Sequence, residues 1–318
     1  MKYLLLLMSF GIYANCIEMR AGIDIGSGAS KLKIAKVDKC KDKIEKILFT
    51  KDFAVEYKDD LRSRNKKSFS KSIIKKGRSA FREISSILKK YKVQSTRAVA
   101  TSAFRTSSNS AVLIRYAKSL DIPVEVISQD EEAILGYKSA KSLTSGRKYL
   151  VWDIGGGSMQ MSYKKDDKLL IYKGKLASVP FRAYVTKFVQ NSKKRSPNPM
   201  SSKDVDKSIK YAHDYALRDI DKDLQKVIKT QDIDIIGIGG VHSSAILESM
   251  GKKGNYTYKE LESFLKARKS LTDKEIGGKY ASTSTSNLAL VLGYMKALGI
   301  KKVIGEKLNL SDGLLYNK

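Results

Sequence analysis

Acidic residues are scarce in this chain: 33 Asp and Glu stand against 61 Lys and Arg over 318 residues, a formal charge of +28. Such an imbalance concentrates polyanions near the surface, although a solvated lysine coat would give the same composition. Cysteine is rarer still, with two residues, so no disulfide framework can be read from spacing. Neither an oxidising nor a reducing compartment is required. The two histidines, His213 and His242, have no partners at metal-ligand spacing, which argues against a histidine metal centre and for structural roles. The single tryptophan, Trp152, falls in an apolar strand and reads as core. The tyrosines are scattered without aromatic-basic interleaving, so sequence-specific reading of nucleic acid is not expected. Short repeats and low-complexity domains are absent.

Long hydrophobic runs are missing as well, apart from Tyr3–Tyr13 behind Lys2. That run is too short to span a bilayer as a mature helix, and small or polar residues follow it at Ala14, Asn15 and Cys16. Residues 1–16 therefore read as a signal peptide or lipoprotein signal, with ordinary cleavage near Cys16 and lipidation of Cys16 both open. The expected location is exported, either periplasmic or membrane-attached as a lipoprotein, and cytoplasmic if the segment is not cleaved. No transmembrane helix is expected in the mature chain. Removal of the signal would leave Cys40 as the sole thiol.

What is present is alternation of strand and helix patterns, which predicts an α/β fold. Leu32–Val37 alternates apolar with basic residues like the second strand of a hairpin. Ile74, Phe81, Ile84 and Leu88 share a helical stripe, and Arg97–Ala100 and Ile122–Ile127 read as strands. Ser128 with Glu131 makes a capping box for a helix through about Leu143. The pattern restarts at Val151, which places a boundary between 128 and 148 and divides the chain into units of 20–130 and 131–318, the last few residues packing back on the first unit. Asn191–Lys203 reads as a loop or lid. A long helix then carries Val205, Ile209, Ala212, Ala216, Ile220 and Val227 on its buried side. A strand at Ile233–Ile238, a helix bearing Leu288, Val291, Leu292, Met295 and Leu298, and a strand near Val303 complete the chain.

Two segments share one build. Gly22-Ile23-Asp24-Ile25-Gly26-Ser27-Gly28 and Val151-Trp152-Asp153-Ile154-Gly155-Gly156-Gly157-Ser158 each run from an apolar strand ending in an acid into a glycine-rich turn. Such a turn directs backbone N–H groups at whatever lies above it, and the acid can hold a water or a cation. Duplicated, the device makes two jaws around a phosphate chain.

These segments, with Ala100-Thr101-Ser102-Ala103-Phe104-Arg105, Ile127-Ser128-Gln129-Asp130-Glu131-Glu132-Ala133, Gly237-Ile238-Gly239-Gly240 and Ser311-Asp312-Gly313-Leu314, occur in the order seen in the exopolyphosphatase and guanosine pentaphosphate phosphohydrolase (Ppx/GppA) family, which the chain resembles from about residue 20 to its end. The resemblance implies the actin-like ATPase superfold, two ribonuclease-H-like domains flanking a central cleft. It implies hydrolysis of a phosphoanhydride, releasing terminal orthophosphate from linear polyphosphate or acting on guanosine pentaphosphate. Glu132 is then the base that activates water, and Arg105 a guanidinium on the transferred phosphate. Gly26, Ser27, Gly28, Ser30, Gly155, Gly156, Gly157, Ser158, Gly239 and Gly240 cradle phosphates. Asp24 and Asp153 hold Mg²⁺ or another divalent cation through water. The implied partner is a polyanionic phosphate chain, and homodimerisation stays open. Asp130 and Glu131 are read as helix N-terminal acids only.

Two departures from the family pattern matter. Ser158-Met159-Gln160 stands where Ser-Thr-Glu is usual, and Ser27-Gly28-Ala29-Ser30 where Ser-Asn-Ser or Ser-Asn-Thr is usual. Glutamine can bear no charge toward a metal and accept no proton, so a polyphosphate-binding protein with weak or no catalysis is the leading alternative. An ATP-dependent sugar-kinase-like phosphotransferase is a further one.

Overall fold

The computed structural model describes residues 16–143, 147–230, 232–278 and 280–317. The expected signal segment, residues 1–16, lies outside the described residues apart from Cys16 itself. Strands β1 (Ile17–Ile25), β2 (Ser30–Asp38), β3 (Lys43–Phe53), β4 (Ser95–Ala100) and β5 (Val124–Val126) form one sheet in the order β3-β2-β1-β4-β5. Strands β1, β2 and β3 are an antiparallel meander, and β4 and β5 run parallel to β1. The second sheet repeats the plan. Strands β6 (Tyr149–Ile154), β7 (Met159–Lys165) and β8 (Lys168–Gly174) form its meander, while β9 (Asp234–Ile238) and β11 (Lys302–Gly305) lie parallel beyond β6. Strand β10 (Gly254–Thr257) closes the edge antiparallel to β11. The fold is thus α/β with a duplicated sheet, as the alternating patterns imply.

Helices cover the sheets by burying apolar stripes. Lys71–Lys90 starts at Ser70, whose hydroxyl accepts the amide of Ile73, and buries Ile73, Ala80, Phe81, Ile84 and Leu88. In the second unit, Ala281–Leu298 is buried along nearly its whole length and crosses Ser202–Asp219 closely, since a Cβ on Gly293 would sit 2.5 Å from that of Ala212. Trp152, Tyr294 and Phe181 are fully buried in the same core, each contributing about 1.5–3 kcal/mol of apolar transfer free energy.

The structure corrects the sequence reading in two places. The long helix expected across Val205 to Val227 is broken: Ser202–Asp219 ends at Ile220, which is extended (ψ 133°), and Lys222–Thr230 follows. Asp221 accepts the amide of Asp223 and so offers the chain a capping turn in place of helix continuation. The second correction concerns the thiols. Cys16 and Cys40 form a disulfide that ties the start of β1 to the turn after β2. Spacing alone could not reveal it, because the antiparallel register that pairs Ile17 with Asp38 is what brings the two residues together.

The C-terminal turn Leu310–Gly313 lies across β1, where a Cβ on Gly22 would meet the Ser311 carbonyl at 2.1 Å. Lys33 and Asp312 form a buried ion pair there (2.6 Å to Oδ2), and Arg97 donates to the carbonyls of Leu314 and Tyr316. The chain end is therefore fastened to the first sheet by charge and by backbone contacts.

Candidate active site

The two glycine turns have the same internal hydrogen bond. Gly26 N–H donates to the Ala29 carbonyl at 2.9 Å, and Gly155 N–H to that of Ser158 at 3.0 Å. They meet across a cleft of about 320 Å³. A Cβ on Gly156 would lie 3.1 Å from that of Ser27, and Ser102 Oγ donates to the Gly157 carbonyl at 3.2 Å. Only residues without side chains let the backbones approach so closely.

Of the residues proposed from sequence, Asp24, Gly26, Ser27, Gly28, Glu132, Asp153, Gly155, Gly156, Gly157, Ser158 and Gly240 line this cleft. Ser30 does not, being fully buried beneath the first turn. Gly239 stands behind the wall with φ +84°, where a Cβ would sit 2.4 Å from Asp153 Oδ1, so its role is to make room for that carboxylate. Arg105 sits behind Glu132 rather than on the cleft wall. Its Nη1 is 2.8 Å from Glu132 Oε2 and donates to the Ile127 carbonyl at 2.7 Å.

Glu132 sits one residue beyond the capping box read in the sequence. Ser128 and Glu131 satisfy each other at the start of the helix Gln129–Ser139, and Glu132, one residue on, turns inward and is buried. Ser158 Oγ donates to Glu132 Oε1 at 3.0 Å, linking it to the second glycine turn. Burial raises its pKa, Arg105 and Ser158 oppose the rise, and the nearby charge of Asp24 adds to it.

Sequence reasoning missed Lys31. In the hairpin register Lys31 is directly opposite Asp24, and its Nζ lies 3.2 Å from Asp24 Oδ2. The equivalent cross-strand partner of Asp153 is Gln160. One duplicated hairpin thus carries a cation where the other carries an amide. Despite burial, Lys31 is held firmly protonated by Asp24 and Asp153. The signal was available: counting outward from a four-residue turn pairs 24 with 31.

Asp153 is pushed up to about 7, first by burial and then by Glu132 and Asp24, against the pull of Lys31. Three carboxylates, Asp24, Asp153 and Glu132, stand against the two cations Lys31 and Arg105, a balance that leaves room for a divalent cation. The oxygens of Asp24, Asp153 and Glu132 do not converge into one ligand shell. Among the described residues only Cys16, Asp38 and Cys40 lie close enough for that, and those thiols are joined to each other. The donor set therefore fits a hydrated cation held through water. Ser27 Oγ is buried in the cleft with no hydrogen-bond partner among the described residues, a donor suited to a ligand oxygen.

Residues 34–318 match the Ppx/GppA phosphatase family. The chain belongs to that family. It is 31% identical over 154 residues to the bifunctional 3-dehydroquinate synthase/phosphatase of Fusobacterium nucleatum, a match covering 45% of this chain and 23% of that protein. The chain thus spans about a quarter of the length of the curated relative it matches. Among solved structures it resembles the PPX-GPPA enzyme of Aquifex aeolicus (19% identity, TM-score 0.73, 94% of this chain and 99% of that one). It also resembles an exopolyphosphatase from Cytophaga hutchinsonii (21% identity, TM-score 0.74, 94% and 96%). These likenesses give this member of the Ppx/GppA phosphatase family the actin-like ATPase fold, two lobes about a cleft. No helix among the described residues is long and apolar enough to cross a membrane.

Proposed function

We propose that this Ppx/GppA protein releases terminal orthophosphate from linear polyphosphate by attack of water on the last phosphoanhydride. The observation that carries the proposal is Glu132: a buried carboxylate in the cleft, with its basicity raised, held by Ser158 and Arg105 beside two facing glycine turns. A water hydrogen-bonded to Glu132 would lose its proton to that carboxylate as it attacks. Ser27 Oγ and the amides of the turns would meet the charge on the transferred phosphoryl oxygens, and Lys31 would neutralise the chain beside Asp24. Asp24 and Asp153 would hold Mg²⁺ through water, where the ion would lower the charge on the phosphates.

The Cys16–Cys40 pairing supports work outside a reducing cytosol, in line with an exported protein. The cleft lining also includes the small residues Gly240, Ser244, Ala245 and Gly277 beside Glu248 and Arg268, polar surroundings compatible with a nucleoside as well as a phosphate chain, which keeps guanosine pentaphosphate as a second substrate reading. The test is orthophosphate release by the purified chain with Mg²⁺, from long-chain polyphosphate and, separately, from guanosine pentaphosphate. Binding without release would select the non-catalytic reading, and phosphate transfer from ATP to a sugar the kinase-like one.

A further inference from the structure

Besides Glu132 the same cleft carries an ion-pair cluster that the attack of water does not use. Asp59, buried on the helix Tyr57–Ser63 of the first unit, receives Arg182 on one oxygen and Arg195 on the other. Arg182 belongs to the helix Ser178–Tyr184, whose first amides donate to the carbonyls of Gly155 and Gly156. Arg195 lies in the irregular stretch after that helix and also reaches Glu56 at 3.4 Å. Arg182, Arg195, Asp59 and Glu56 all line the cleft that holds Glu132.

The cluster is unbalanced in two ways. Arg182 is 5% exposed, yet its Nε–H has no hydrogen-bond partner among the described residues. Arg62 also stands close enough that burial and then Arg182 depress its pKa, so three guanidinium groups face the two carboxylates of Asp59 and Glu56. A phosphate offers more acceptor oxygens than one carboxylate, in a geometry that a guanidinium matches with paired hydrogen bonds.

We propose that Arg182 and Arg195 form a distal phosphate subsite, which Asp59 fills with its own carboxylate until a phosphate chain long enough to reach it takes the two guanidinium groups. The subsite rests on the phosphoanhydride reading above and adds to it a preference for long chains over short ones. Asp59 acts as an internal anion that keeps the buried Arg182 and the half-exposed Arg195 paired in the empty cleft, where leaving Arg182 unpaired would be costly.

The test measures binding of long-chain polyphosphate and of tripolyphosphate to the Glu132→Gln chain, in which turnover does not consume the ligand. Arg195→Gln comes first because Arg195 is half exposed, and Arg182→Gln and Asp59→Asn follow with melting curves to confirm folding. Arg195→Gln is expected to weaken long-chain binding about tenfold, the loss of one charge-assisted contact, while changing tripolyphosphate binding much less. Asp59→Asn should tighten long-chain binding several-fold. Equal weakening of both ligands in Arg195→Gln, or no effect on the long chain, overturns the subsite. If long-chain binding responds as expected while Glu132→Gln still releases phosphate, the subsite stands and the assignment of the base falls. If the chain binds neither ligand, both fall.

Discussion

Gly157 faces the Ser27 hydroxyl across the cleft with no space for a methyl group: a Cβ on Gly157 would sit 2.6 Å from Ser27 Oγ and 2.8 Å from Ser102 Oγ. This contact joins the two lobes at the cleft. Gly157→Ala should force the turns apart and cost about 1–3 kcal/mol of stability, in the range of other overpacked sites. Phosphate release should fall by more than about tenfold, because misplacing reacting groups by an ångström is costly. Normal activity in this variant would show that the turns do not cooperate in the reaction.

Glu132→Gln keeps the shape of the side chain and its contact with Ser158 while removing the proton acceptor. Loss of general-base assistance is expected to slow phosphate release by about 100- to 10,000-fold with long-chain binding preserved. Because burial raises the pKa of Glu132, the acid limb of the wild-type rate profile should lie above the ordinary carboxylate range. A pH–rate profile with its acid limb at the usual carboxylate pKa would count against Glu132 as the base.

Much of this site was legible because its parts are local. A glycine turn and its acid are set within a few residues, so Asp24 and Asp153 could be named before any contact was known, whereas Glu132 was named through the family resemblance. What stayed hidden depends on register or on distant packing. Lys31 becomes a site residue only when β1 and β2 pair, and Asp59 and Arg182 only when a helix of each lobe reaches the same cleft. Ser30, named as a phosphate-binding residue, is buried outside the cleft for the same reason: alternation along β2 turns it inward while its neighbour Lys31 lines the cleft.

The Cys16–Cys40 link makes a prediction of its own. It closes a loop of sequence separation 24, and constraining the unfolded chain in this way is worth about 3 kcal/mol. Cys40→Ser, or reduction, should lower the melting temperature without abolishing phosphate release, since neither cysteine lines the cleft. A lipid thioether at Cys16 would exclude the disulfide, so the intact mass of the mature protein before and after reduction decides between them. A lipid-sized mass increment that reduction leaves unchanged would refute the pairing.

His242 should govern part of the acid stability. It is fully buried, with Nδ1 2.6 Å from the Tyr256 hydroxyl, and burial drives its pKa from 6.5 down to about 3. The unfolded chain takes up this proton below pH 6.5, whereas the folded chain does not until about pH 3. The contribution is therefore fully present above pH 6.5 and lost progressively as pH falls toward 3, with an upper bound of roughly a few kcal/mol. In His242→Gln the melting temperature should fall less steeply over that interval. Parallel slopes in the two proteins would remove His242 from the account.

Gln160 stands where the resemblance to the family leads one to expect a glutamate. It is 2% exposed, sits opposite Asp153 in the β6–β7 register, and leaves its Nε2 without a partner among the described residues. Gln160→Glu would put a second carboxylate beside Asp153, whose pKa burial, Glu132 and Asp24 already raise against the pull of Lys31. Without a divalent cation the repulsion and the burial of another charge should destabilise the protein. With Mg²⁺ the same carboxylate becomes a further ligand for the cation or its waters, so half-maximal phosphate release should require less Mg²⁺, and added Mg²⁺ should restore the lost melting temperature. A variant equally destabilised with and without Mg²⁺, and with an unchanged Mg²⁺ requirement, would place the cation elsewhere than at Asp153.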